Sequence, residues 1–174
     1  LPTKPAKRSA PSSSILAQAD ALYRHKKFDQ AASLLRAAAE ARSGSEASKM
    51  LRLASAYASV GHNLAKGDSN RSNAPVAVTA YNKAMRADRI AGGAFVSLLR
   101  VKLKITAPRA ARTAMARRDL IGAKRMADIA SSVGAGVKVA AVRSGLERRA
   151  GELVAEAKRD TQAGRNALAR RRYA

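Results

Sequence analysis

Apolar residues recur at helical spacing along most of this chain. Near the front, Ile15, Ala19, Leu22 and Tyr23 stand at i, i+4, i+7 and i+8, the face that an amphipathic helix buries against a neighbour. A polar connection, His25-Lys26-Lys27, leads into Phe28-Asp29-Gln30-Ala31, after which Ala31, Leu35 and Ala38 repeat the interval. The run Ile15 to Ala41 therefore predicts a helical hairpin, its alanines allowing close approach and Leu35 filling the groove between. A second hairpin is predicted from Lys49 to Leu64, with Met50, Leu53, Ala54 and Tyr57 as its stripe, and from Pro75 to Arg89, with Ala77, Tyr81 and Ala84. Pro75 suits the first turn of a helix. Between them Lys66 to Asn73, KGDSNRSN, reads as a polar loop. It includes Asn70-Arg71-Ser72, which matches a glycosylation acceptor, a weak pattern without evidence of secretion.

Beyond Ala91, the residues Ala94, Leu98, Val101 and Ile105 give a helical stripe, although Arg100 to Ile105 also alternates as a strand would. Pro108 is expected to start another helix. The following residues allow either one helix past Asp119 or a hairpin turning at Arg118-Asp119, with Ala123, Ala127 and Ala130 as its second stripe; the hairpin is the favoured parse. The run RRDLIGAKRMADIA resembles KKFDQAASLLRAAA of the front hairpin, with Leu120 at the place of Asp29. Ser132 to Gly136 is a break, and Val137 to Gln162 reads as one long helix carrying Val137, Ala140, Ala141, Leu146, Leu153 and Ala157.

The front hairpin resembles the tetratricopeptide repeat family, in which a small residue sits midway along each helix and an aromatic precedes the small residue opening the second. Ala19, Phe28, Ala31 and Ala38 occupy those positions. The chain departs from the family in having no glycine after the first helix and no proline after the second. What the resemblance implies is an all-α fold of antiparallel hairpins stacked as a solenoid, with a long C-terminal helix. The expected packing residues are Ala19, Leu22, Phe28, Ala31, Leu35, Ala38, Leu53, Tyr57, Ala77, Tyr81 and Ala84. Residues 15–133 would form the hairpins and 134–174 the long helix and a basic end. That end, NALARRRYA, reads either as the start of a further repeat or as a basic tail. Residues 1–14, rich in Pro, Ser and basic residues, read as a linker or tail, or as the remnant of a targeting segment. The chain opens on Leu, as a processed protein or an excised domain would.

Composition sharpens this picture. Aromatics make up 3% of the 174 residues against 47% hydrophobic overall, so Ala, Leu, Val and Ile carry the core, which suits close-packed helices. Lys and Arg number 34 against 12 acids, a net charge of +22. A face needed only for solubility would mix signs, and excess of one sign costs self-repulsion unless a partner neutralises it. The candidate partner surface comprises Arg24, Lys27, Arg52, Arg86, Arg100, Lys102, Lys104, Arg109, Arg112, Arg117, Arg118, Lys124 and Arg125.

Little material for catalysis is present. Cysteine is absent, and His25 and His62 lack companions at metal-ligand spacing. SSVGAGVK lacks the spacing of a phosphate-binding loop. The acids Asp20, Glu40, Glu147 and Glu156 are scattered singly among bases. No cofactor is expected, and no apolar run reaches the length of a membrane span. The leading expectation is a non-enzymatic scaffold that assembles with an acidic protein or a subunit of a larger complex. The alternative is a subunit associated with RNA or another polyanion by charge and shape, since the few aromatics leave little for base stacking. An anionic membrane surface ranks third, for want of interfacial Trp and Phe. The compartment stays open.

Overall fold

The structure, a computed structural model, describes the backbone of residues 12–173 and the side chains of residues 13–166. All regular structure among the described residues is helical. The order is α1 (Ser12–Arg24), α2 (Phe28–Glu40), α3 (Gly44–Ser69), α4 (Ala74–Ile90), α5 (Val96–Ala116), α6 (Leu120–Ser132), a 3-10 turn (Gly136–Val139) and α7 (Ala140–Tyr173). The chain divides into two compact units, Leu1–Thr106 and Ala107–Ala174.

In the first unit each helix packs on the one before it, α2 on α1, α3 on α2 and α4 on α3. The small residues at the centres of the predicted stripes are buried. Ala19, Ala31, Leu35, Ala77 and Ala84 are fully buried, as are Tyr57 and Tyr81 to within 2%. Leu22, Phe28 and Leu53 are half-buried at the margins. The hairpin turn is closed by its backbone: Lys27 N donates to Leu22 O and Lys26 N to Tyr23 O, both at 2.9 Å. This is the paired closure of a Schellman turn, whose penultimate residue must be left-handed. Here that residue is Lys26, at φ 60°, which explains how the chain turns without the glycine the tetratricopeptide pattern would place there.

The second unit repeats this hairpin 92 residues on, from Lys26 to Arg118, which is also at φ 60°. Arg118 N donates to Met115 O and Asp119 N to Ala114 O, both at 3.0 Å, the same two bonds in the same places. The helices α2 and α6 are each 13 residues long, and Ala111, Ala123, Ala127 and Ala130 are buried where Ala19, Ala31, Leu35 and Ala38 are in the first copy. The chain therefore turns at Arg118-Asp119, as expected from sequence, instead of running on as one helix past Asp119. The matching register differs by one residue from the one read there: Leu120 corresponds to Phe28, not Asp29, because backbone conformation and not the pair of basic residues defines the equivalence. Asp119 also caps α6, accepting from Gly122 N at 2.8 Å.

Several boundaries differ from expectation. The loop expected at Lys66 to Asn73 shrinks to residues 70–73, because α3 runs on to Ser69. Gly67 lets the Tyr81 ring lie against that last turn, where any Cβ would collide with it. The stripe of Ala94, Leu98, Val101 and Ile105 is not the buried one. Phe95, Leu99, Leu103, Ala107, Ala110 and Ala114 face the core, since Phe95 is fixed by a hydrogen bond to α4 and sets the phase of the helix that follows. Val101 and Ile105 are left 56% and 59% exposed. Pro108 lies within α5 instead of opening a helix; the alanines around it favour helix strongly enough to absorb the one lost backbone bond. The long C-terminal helix begins at Ala140, after Val137, and continues through Gln162 to Tyr173. Of its expected stripe, Val137 is 93% and Leu153 43% exposed, and Val139 and Val142 are buried instead. Ala140, Ala141 and Ala157 are exposed and Leu146 half-buried, because the 3-10 turn shifts the helical phase. Residues 12–14 belong to α1, and the rest of the expected N-terminal tail lies outside the described residues, as do the side chains of ALARRRYA.

Replacing Ala31 by Leu is expected to destabilise the chain by about 1–3 kcal/mol through overpacking. A urea melt followed by circular dichroism measures this, and an unchanged midpoint would contradict the packing of α2.

Candidate binding surface

Two carboxyl groups tie the helices of the first unit together, Asp88 fully buried and Asp68 partly exposed. Asp88, on α4, has no exposed surface. Its Oδ1 accepts the Tyr23 hydroxyl at 2.5 Å and its Oδ2 accepts Phe95 N at 3.0 Å, so one side chain ties α1, α4 and the entry to α5. Around it the Tyr23 ring stacks on Tyr57 at 4.1 Å between centroids. Phe95 meets the edges or faces of Tyr23 and Phe28 at 5.1 and 5.4 Å. Burial, then the bond to Asp88, holds the Tyr23 hydroxyl far above the usual tyrosine range. The second carboxyl, Asp68 at the end of α3, accepts Tyr81 Oη at 2.7 Å and Lys102 Nζ at 2.5 Å. Burial works to raise Asp68, but the bonds from Lys102 and Tyr81 outweigh it and hold it below the usual carboxylate range. Burial followed by the bond to Asp68 pushes Tyr81 up to about 12. The Lys102 ammonium also lies 5.3 Å from the Tyr81 ring centre.

Lys102 is therefore a structural cation and leaves the expected partner surface; its side chain is only 19% exposed. The other twelve basic residues of that surface are all exposed. Arg24 is paired with Asp20 at 2.7 Å and Lys124 with Asp128 at 3.0 Å. Arg100 and Lys104 stand one turn apart on the exposed side of α5, with Arg112 two turns further. None of these three, nor Arg109, meets a carboxylate among the described residues. Arg52 on α3 and Arg86 on α4 stand on separate helices. His25 and His62 are exposed, and no group of three metal-ligating side chains occurs among the described residues.

Several grooves bring basic residues together, and each includes residues that sequence reasoning did not single out. In the first unit, a groove of about 340 Å³ between α3 and α4 is lined by Asn63, Lys66, Thr79 and Lys83. In the second unit, a groove of about 540 Å³ has Met115, Leu120 and Leu153 on its apolar side and Arg118, Arg148, Arg149 and Glu152 on its polar side. Arg149 pairs with Glu152 at 2.9 Å. The signal for this second site lay in the spacing of Gly145, Arg149, Glu152 and Leu153, which share one helical face, but the register of the neighbouring hairpin was needed to place a surface against it. Compared with known proteins, the chain matches no family model, no curated protein and no solved structure.

Tyr23→Phe leaves one Asp88 oxygen without its donor and is expected to cost about 1–3 kcal/mol at neutral pH. Because the folded chain holds tyrosine protons that the unfolded chain releases near pH 10, stability is complete below that pH and falls as pH rises through it. The alkaline decline is expected to be shallower in Tyr23→Phe. Urea midpoints of both proteins at neutral and alkaline pH check this, and identical profiles would contradict the Tyr23–Asp88 link.

Proposed function

We propose that the chain is a non-catalytic assembly module, a tetratricopeptide-like stack of helical hairpins that joins an acidic protein or subunit through its basic surface. The observation that carries this reading is the exposed side of α5 in the first unit, where Arg100 and Lys104 stand one turn apart without an acid to neutralise them. Unpaired cations one helical turn apart repel one another, and a partner bearing carboxylates converts that cost into binding and steering. The repeat-like reading is supported by the recurring turn, with its Schellman bonds and its buried alanines at matching positions. Between the two classes of polyanion, the aromatics favour protein. Tyr23, Tyr57, Tyr81 and Phe95 are buried and Phe28 is half-buried among them, which leaves no stacking platform for unpaired bases on the described surface.

The test is affinity capture by the whole chain from its own cell lysate at about 150 mM salt, with and without nuclease treatment. Acidic proteins are expected to be retained after nuclease, and to be lost when Arg100, Lys104 and Arg112 are together replaced by Glu with helicity unchanged. Capture that disappears on nuclease treatment would overturn the protein-assembly reading in favour of RNA.

A further inference from the structure

The two copies of the hairpin differ in what covers them. In the first, Tyr23 and Phe28 are sealed by rings from later elements, Tyr57 of α3 and Phe95 at the entry to α5. In the second, Met115 and Leu120 hold the equivalent positions. There α7 passes close by, with Gly145 so near the Met115 methyl that an added Cβ would lie at 3.1 Å. Met115 and Leu120 are half-buried and border the open groove of about 540 Å³.

The rim of that groove sets the chemistry of what can fill it. Arg118 and Arg148 are exposed and meet no carboxylate among the described residues, and only Arg149 has one, in Glu152. Three guanidinium groups face one acid. A second copy of this chain, with its net charge of +22, would bring like charge to the site. A nucleic acid backbone would pair with the arginines but would leave the apolar side of Met115, Leu120 and Leu153 against sugar and phosphate.

We propose that this groove docks an acidic amphipathic helix from another protein. A large apolar side chain of that helix enters between Met115, Leu120 and Leu153, as Phe95 packs against Tyr23 and Phe28. Its flanking carboxylates meet Arg118 and Arg148. This is helix-in-groove recognition, in which the apolar anchor gives affinity and the charges give orientation. The inference rests on the reading of the chain as a module for acidic partners, and it assigns that role a place in the second unit.

The probe is a fluorescein-labelled synthetic helix of about five turns with one central Phe and Glu residues three and four positions to either side. Fluorescence anisotropy follows its binding to the full chain at about 150 mM salt, beside a single-stranded RNA. Arg118→Glu with Arg148→Glu is expected to raise Kd at least about tenfold, and replacing the peptide's Phe by Ser to do the same, while Arg36→Glu with Lys49→Glu, exposed in the first unit, changes it less than about twofold. Circular dichroism confirms that the variants are folded, and Arg148→Glu alone, on the exposed side of α7, serves if the double variant is not. Equal losses in both double variants, or indifference to the Phe, would overturn the groove and leave the assembly reading standing. Failure of the wild-type chain to bind the peptide while RNA is retained would overturn both.

Discussion

One buried carboxyl group holds the first unit in register. Asp88 lies on the fourth helix, yet it accepts from the first helix through Tyr23 and from the entry to the fifth through Phe95 N. A polar group without exposed surface is tolerated only when its hydrogen bonds are made, so these segments must meet in one arrangement. The rings then close around that point. Each fully buried ring contributes about 1.5–3 kcal/mol from removal of apolar surface, but apolar burial is non-directional, and it is the Asp88 bonds that select which face of α5 turns inward. From that choice follow the exposed side of α5 and the cations on it.

How far this could be read beforehand depends on what each residue type reveals alone. The stripes through Ala31, Leu35 and Ala38, and through Ala77, Tyr81 and Ala84, were legible because helical periodicity marks a buried face whatever its partner. The turn at Arg118-Asp119 was legible because the run around it resembles the front hairpin. The phase of α5 was not, because Val101 and Ile105 are as apolar as Leu99 and Leu103, and only the bond from Phe95 to a residue on another helix decides between the two faces. The length of α3 escaped for a similar reason. KGDSN has loop composition, but Gly67 and Asp68 are used by Tyr81 and Lys102, which lie well beyond it in sequence.

The binding surface was legible as charge and not as place. The excess of Lys and Arg is plain in the sequence, and most of the expected residues are exposed. Lys102 is the exception, since its neutralising partner lies 34 residues away in Asp68. Arg148 and Arg149 became informative only when the second hairpin had been placed against α7. The duplicated hairpin then supplies the comparison that composition could not: the same turn and the same alanines, closed by aromatic rings in one copy and left open beneath arginines in the other.

Hydrogen exchange of the full chain, followed residue by residue, tests this contrast most directly. The slowest amides are expected in α2, α3 and the part of α4 around Asp88, with faster exchange in α6 and in α7 beyond Leu153, because local opening tracks the covering that each segment receives. Equal protection of the two hairpins would contradict this contrast, since it would mean that the second is covered as fully as the first.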